Sequence, residues 1–124
     1  MIITDIPASS ILASDTLQFN PGALLGIKIN PASYTLVLPD VGMLIRQNVN
    51  IANTVTIPLN SAVAFPLNIV IMIDNMGIGQ TTIVGKTGVV INSAGNKYKL
   101  KTQFSVASLI HVAKDTWLLS GDLI

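Results

Sequence analysis

Asn68-Ile-Val-Ile-Met-Ile73 is apolar on both faces of an extended chain and rich in β-branched residues, which favour a pleated, covered strand over a helix. A strand with two apolar faces is the expected centre of a sheet, covered by a second sheet on one side and by a loop or another subunit on the other. Working outward, Asp74-Asn-Met-Gly-Ile-Gly79 supplies a glycine-rich turn. Thr81-Thr-Ile-Val84 is then expected to pair with the preceding strand as a hairpin.

Upstream, Thr54-Val-Thr-Ile57 alternates, so Val55 and Ile57 are expected to face the core, and Pro58, which has no amide proton, ends the strand. Met43 to Asn48 puts Leu44 and Arg46 on one face and Met43 and Ile45 on the other. Tyr34 to Leu38 ends at the Pro39-Asp40 turn. Downstream come Val89-Val-Ile91, the loop Asn92 to Asn96, and Lys97-Tyr-Lys-Leu-Lys101, whose lysines share one face. A long strand over Phe104 to Ala113 and a closing strand Thr116 to Leu119 complete the pattern. Short strands with turn signals about every ten residues predict an all-β sandwich or jelly-roll-like barrel.

Residues 1–30 read differently. Pro7 and Pro21 are set among Ser, Asp and Asn without a sustained period, so the division expected is an extended N-terminal arm over 1–30 and a β domain over 31–124. The chain has 124 residues, enough for one core. Half of it is hydrophobic and only 10% charged, against about a quarter in ordinary soluble domains. Sheet edges and apolar faces with so few charges to guard them are expected to be covered by sister subunits.

Composition also bounds the chemistry. Cysteine is absent, which removes disulfides, thiolate metal sites and thiol nucleophiles. A net charge of +1 gives no strong field for nucleic acid, and all acids are aspartates. The longest apolar run, Ala62 to Ile73, is broken by Pro66 and Asn68 and falls short of a membrane span of about 20 residues. With no basic leader visible, a soluble protein made in a cytoplasm is expected, with neither nucleic acid nor membrane as partner.

His111 is the one histidine, and no serine stands in a nucleophile-elbow context; a strand residue at a face or interface is the expected role. Asp74-Asn75 lacks the spacing of a calcium loop, so turn bonds to the backbone are expected of Asp74 and Asp115. Gly77-Ile-Gly79 lacks the lysine, third glycine and helix of a phosphate loop. The stripe of Lys97, Lys99 and Lys101 fits a solvated face better than an acidic partner. Trp117 and Phe104 sit in apolar runs and are expected in a core or subunit interface, together with Ile69, Ile71 and Ile73. No cofactor, metal or catalytic residue is expected.

Tyr34-Thr-Leu-Val-Leu38, Asn53-Thr-Val-Thr-Ile-Pro58, Ser61-Ala-Val-Ala-Phe-Pro66, Gly77-Ile-Gly-Gln-Thr-Thr-Ile83, Gly88-Val-Val-Ile-Asn-Ser-Ala-Gly95 and Asp115-Thr-Trp-Leu-Leu-Ser-Gly-Asp122 together resemble a domain of tailed-bacteriophage virion proteins, found in tail fibres, appendages and head-associated proteins. The resemblance spans roughly the last three quarters of the chain and implies a non-enzymatic, β-rich, homotrimeric structural part of the virion. A short arm before one compact domain leaves no room for a fibre shaft. The expectation is therefore a capsid decoration, or cement, protein whose arm lies across the major capsid protein through Ile2, Ile3, Ile6, Ile11, Leu12, Leu17 and Phe19. The alternative is a tail-fibre, neck or appendage module that presents loops such as Asp74 to Gln80 or Asn92 to Asn96 to a host polysaccharide. A β-fold hydrolase is a third class, disfavoured by the single histidine and absent Glu.

Overall fold

The computed structural model describes residues 23–124. Among the described residues nine strands run β1 (Gly26–Asn30), β2 (Tyr34–Thr35), β3 (Met43–Gln47), β4 (Asn53–Ile57), β5 (Val70–Asp74), β6 (Thr81–Gly85), β7 (Val90–Ser93), β8 (Val106–Ala113) and β9 (Thr116–Gly121). They form a six-stranded sheet of order β1-β3-β5-β8-β9-β7 and a three-stranded sheet of order β2-β4-β6.

The chain is all-β with two sheets, but its connections are not those of an antiparallel jelly roll. From β1 to β6 it alternates between the sheets, so each strand pairs parallel with the next but one: β1 with β3, β3 with β5, β2 with β4, and β4 with β6. Each parallel crossover is thus made through a strand of the opposite sheet, and the chain stacks in three coils. The hairpin expected between β5 and β6 does not form, because β6 belongs to the other sheet. The one strand hairpin among the described residues is β8 to β9, and β8 pairs antiparallel with β5.

The glycine-rich loop after β5 has a different task from turning a hairpin. It stacks on the corner after β3: Gly77 N–H donates to the Gln47 carbonyl and Gly79 N–H to the Val49 carbonyl, both at 2.9 Å. A Cβ on Gly77 would stand 2.3 Å from the Val49 oxygen, and one on Gly79 2.0 Å from the Ile51 oxygen. Only glycine lets the two corners approach closely enough to carry the ladder around the bend.

Inside that corner a polar file replaces apolar packing. The Asn30 amide donates to Gln47 Oε1 at 2.9 Å, and Gln47 Nε2 donates to the Ala32 carbonyl and to Asn53 Oδ1 at 3.0 and 3.2 Å. Thr81 Oγ1 also donates to Asn53 Oδ1, while Asn75 Nδ2 binds the Gly77 and Gly79 carbonyls. All five side chains are buried, so each bond removes a desolvation penalty. Gln47→Leu, which strands the Asn30 amide and the Ala32 carbonyl, is expected to cost about 2–3 kcal/mol. The check is a urea midpoint lowered at unchanged slope.

Between the sheets lies one core of Leu36, Ile45, Val55, Ile57, Ile71, Ile73, Ile83, Leu109, Trp117 and Leu119 with their neighbours. Alternation along β4 buries Val55 and Ile57 and leaves Thr54 and Thr56 half-buried. Trp117 meets the Phe65 ring edge-on at 5.4 Å and stacks on His111 at 4.4 Å.

Two boundaries move. Gly26–Asn30, read from sequence as the end of an arm, is the edge strand of the large sheet, because Ile27-Lys-Ile29 has the period of a strand. The strand expected from Phe104 starts instead at Val106. Phe104 sits in a turn at φ 69°, with its N–H donating to the Asn75 carbonyl.

Candidate functional site

The inner face of the six-stranded sheet is filled by the core; the outer face is not covered among the described residues. Register places Ile27, Leu44, Met72 and Ser108 in one outward row across β1, β3, β5 and β8. Ile29, Arg46, Asp74 and Val106 form the next, and Val70, Ile110 and Leu118 a third. A mostly apolar face thus stands toward solvent, with Ile27 60% and Leu25 66% exposed. Exposed contiguous apolar area of this kind marks an interaction surface.

A groove of about 950 Å³ runs over this face along β3 and β5. Leu44, Ile69, Val70 and Met72 form its floor, Leu24 and Leu25 one wall, and Phe104 and Val106 the other. Phe104 is 62% exposed, and a left-handed backbone costs a bulky residue roughly 1–2 kcal/mol. The cost is met by the bond to Asn75, and its result is a phenyl ring held at the rim. At one end Arg46 forks onto the Asp74 carboxylate, Nε at 3.0 Å and Nη2 at 2.9 Å. That pair neutralises a carboxylate which is 3% exposed as a residue and leaves the groove without net charge.

At the open end of the first coil Lys28, Tyr34 and Asp40 form a cluster. Lys28 Nζ donates to Tyr34 Oη at 2.5 Å and lies 3.2 Å from Asp40 Oδ1, and Tyr34 Oη donates to Asp40 Oδ2 at 2.8 Å. The second Asp40 oxygen also accepts the Val37 N–H and so pins the turn Leu38–Asp40. The hydrogen bond to Tyr34 raises the Lys28 pKa against a smaller desolvation effect, and burial raises that of Tyr34 above its usual 10.0. Both groups are held in their protonated forms. Their contribution is therefore complete below about pH 10 and is lost as pH climbs through the raised folded values. Tyr34→Phe is expected to lose less stability than the wild type between about pH 8 and pH 11, measured as the shift in urea midpoint across that interval.

The residues singled out from sequence fall as follows. Ile71, Ile73 and Trp117 are in the core, Ile69 is partly buried against it, and Phe104 is on the outer surface. Ile2, Ile3, Ile6, Ile11, Leu12, Leu17 and Phe19 lie outside the described residues. His111 is buried, its Nδ1 2.9 Å from the Pro66 carbonyl oxygen and its ring on Trp117; it braces the Phe65-Pro66 segment against β8. Asp74 binds Arg46 and not the turn expected of it, and Asp115 Oδ1 accepts the distant Asn60 N–H at 2.7 Å. Lys97, Lys99 and Lys101 are exposed, with bridges at Lys99 and Leu100 only. Among the described residues no group of three or more His, Cys, Asp or Glu is placed to hold a metal ion, and no helix is long and apolar enough to cross a membrane.

The groove was missed from the sequence. Its only sequence signal was that the segment of β5 is apolar on both faces, which says that something covers it without saying where the cover lies. No protein-family model, curated protein or solved structure matches the chain.

Proposed function

We propose that the chain is a non-enzymatic assembly subunit of a tailed-bacteriophage virion. In this reading it is a capsid decoration protein that binds the head shell as a homotrimer and stabilises it through its N-terminal arm. The observation that carries the reading is the apolar outer face of the six-stranded sheet. Its exposed apolar side chains, Ile27, Ile29, Val70 and Leu118 among them, offer sister subunits a surface on which to meet. The low charge of the chain supports the same reading, since a face without gatekeeping lysines is suited to permanent cover. The virion assignment rests on the phage-like wording of residues 34–122.

The mechanism is mass action: a trimer that binds only the mature shell lowers the free energy of that state by an amount that grows with occupancy. The test is cryo-EM localisation on intact particles. Hundreds of copies over the head are expected; a few copies at the tail or neck would replace decoration with the tail-module reading. Absence of the chain from purified virions would overturn both.

A further inference from the structure

In the three-stranded sheet β6 is the strand farthest from β2, and the segment Lys97 to Lys101 lies along it. Ile83 N–H donates to the Tyr98 carbonyl at 2.8 Å and Leu100 N–H to the Thr81 carbonyl at 2.9 Å, so Lys99 stands opposite Thr82 while Leu100 is buried. The Lys99 carbonyl accepts the Ile124 N–H at 2.8 Å. Two loops distant in sequence close on this pair. Gln80, from the loop before β6, accepts the Asn53 N–H on its carbonyl at 3.0 Å and donates from Nε2 to the Leu100 carbonyl at 3.1 Å. Asn96 ends the turn Ala94–Asn96, and its Oδ1 accepts the Tyr98 hydroxyl at 3.4 Å. Gln80, Thr82, Asn96, Tyr98, Lys99 and Ile124 together line a cleft of about 380 Å³.

The chemistry of this cleft differs from that of the apolar groove on the outer face. Its residues bring two carboxamides and two hydroxyls, groups that both donate and accept hydrogen bonds, and one cation, Lys99. Charge is unevenly placed around it. Lys28 and Arg46 are paired with Asp40 and Asp74, whereas among the described residues no carboxylate meets Lys97, Lys99 or Lys101. Asp115 and Asp122 are bonded to the Asn60 N–H and the Ser105 hydroxyl. Neighbouring cations without a counter-ion favour an anion at the cleft. A bare anion would use the amine alone; a sugar ring that bears an acid uses the carboxamides and hydroxyls as well. The volume is that of a small-ligand site, at the lower end of a range of about 300–1,000 Å³. Tyr98, half-buried, is the one aromatic ring at its border, which gives no stacking platform for successive bases.

We propose that this cleft is a binding site for an acidic saccharide. The acid group pairs with Lys99, and Lys97 and Lys101 add an attraction that salt screens. The sugar hydroxyls bond the Gln80 and Asn96 carboxamides and the Thr82 hydroxyl. Gln80 and Lys99 are pinned through their backbones, so little ordering is left for the ligand to impose. A carboxylate and a phosphate ester both satisfy Lys99, and the experiment distinguishes them. The site shares no residue with the groove on the outer face and depends neither on the virion assignment nor on assembly through that face.

The experiment is an NMR titration of the amide signals of the intact chain with trigalacturonic acid and with glucose phosphate, beside maltotriose as the neutral control and inorganic phosphate as the sugar-free one. Expected are saturable shifts at Thr82, Asn96 and Lys99 with one or both acidic sugars, at an affinity at least about tenfold above either control. Saturation by trigalacturonic acid alone would assign a carboxylate, and by glucose phosphate alone a phosphate ester. Lys99→Gln is expected to weaken binding about tenfold, the effect of losing a charge-assisted bond. Asn96→Gly, which suits the left-handed φ of 54°, should weaken it several-fold. Both variants should keep the remaining spectrum and Tm of the wild type. No saturable binding by either acidic sugar, a control that binds as tightly as they do, or wild-type affinity in either variant would overturn the proposal.

Discussion

Ile71→Asp is expected to abolish the folded state. Ile71 has no exposed surface, lies at the centre of β5 and pairs with Leu109, which pairs in turn with Leu119. The substitution removes a side chain whose burial contributes about 2–3 kcal/mol. It also places a carboxylate among Ile45, Ile73 and Leu109 with no cation to meet it. An unpaired buried charge adds several kcal/mol more, enough to consume much of a margin of about 5–15 kcal/mol. Circular dichroism should show no cooperative transition for Ile71→Asp, whereas Ile71→Val should cost only about 1 kcal/mol. A soluble Ile71→Asp protein with the wild-type spectrum would contradict the placement of β5 between the core and the outer face.

Gly79→Ala is expected to be nearly as damaging, although it adds one methyl group. That methyl would lie 2.0 Å from the Ile51 oxygen and 2.6 Å from the Ile51 nitrogen, and a backbone cannot turn aside as a side chain can. The second corner must lift off the first. The lift breaks the Gly79 bond to Val49 and loosens the Asn75 bond to Gly79. The expected loss is about 3 kcal/mol or more, from overpacking and broken buried bonds together. Gly95→Ala supplies the contrast. There φ is +68° but the added carbon meets only the flexible Lys97 side chain, so the cost is the conformational one of about 1–2 kcal/mol. If thermal denaturation showed Gly79→Ala to be no worse than Gly95→Ala, the stacked corners would be wrong.

These two positions also show what a sequence of this kind discloses. Alternation in Thr54-Val-Thr-Ile57 and the doubly apolar Ile69 to Ile73 identify strands and their faces, because side-chain direction is a local property with a period of two. Strand partners are not local. The loop of Gly77 and Gly79 has the composition of a hairpin turn, yet its glycines serve a close approach to a corner some thirty residues earlier, and nothing in the period of β6 distinguishes the two. Three coils of unequal length, with Asn30, Gln47 and Asn75 at corresponding corners, leave no regular spacing to betray the stacking.

The candidate surface was legible by halves. Excess apolar content and scarce charge foretold covered faces, and Ile69, Ile71 and Ile73 were placed on a strand with two apolar sides. Phe104 was read into a strand because it precedes an apolar run. Its turn is set by the Asn75 carbonyl, which comes from another part of the chain. Lys28 and Asp40 meet across a coil through Tyr34, which no short motif encodes.

In the proposed homotrimer, copies of this chain would meet through the outer face of the six-stranded sheet. Native mass spectrometry of the intact chain, beside an Ile29→Lys, Leu118→Lys double variant, tests it most directly. Both residues stand on the outer face, clear of the core and of the groove lining, so the variant is expected to fold. A homotrimer formed through this face predicts a wild-type mass three times the 13.1 kDa of the chain and a monomeric variant with an unchanged unfolding transition. A wild-type monomer at micromolar concentration, or a double variant that still assembles as the wild type does, would contradict it.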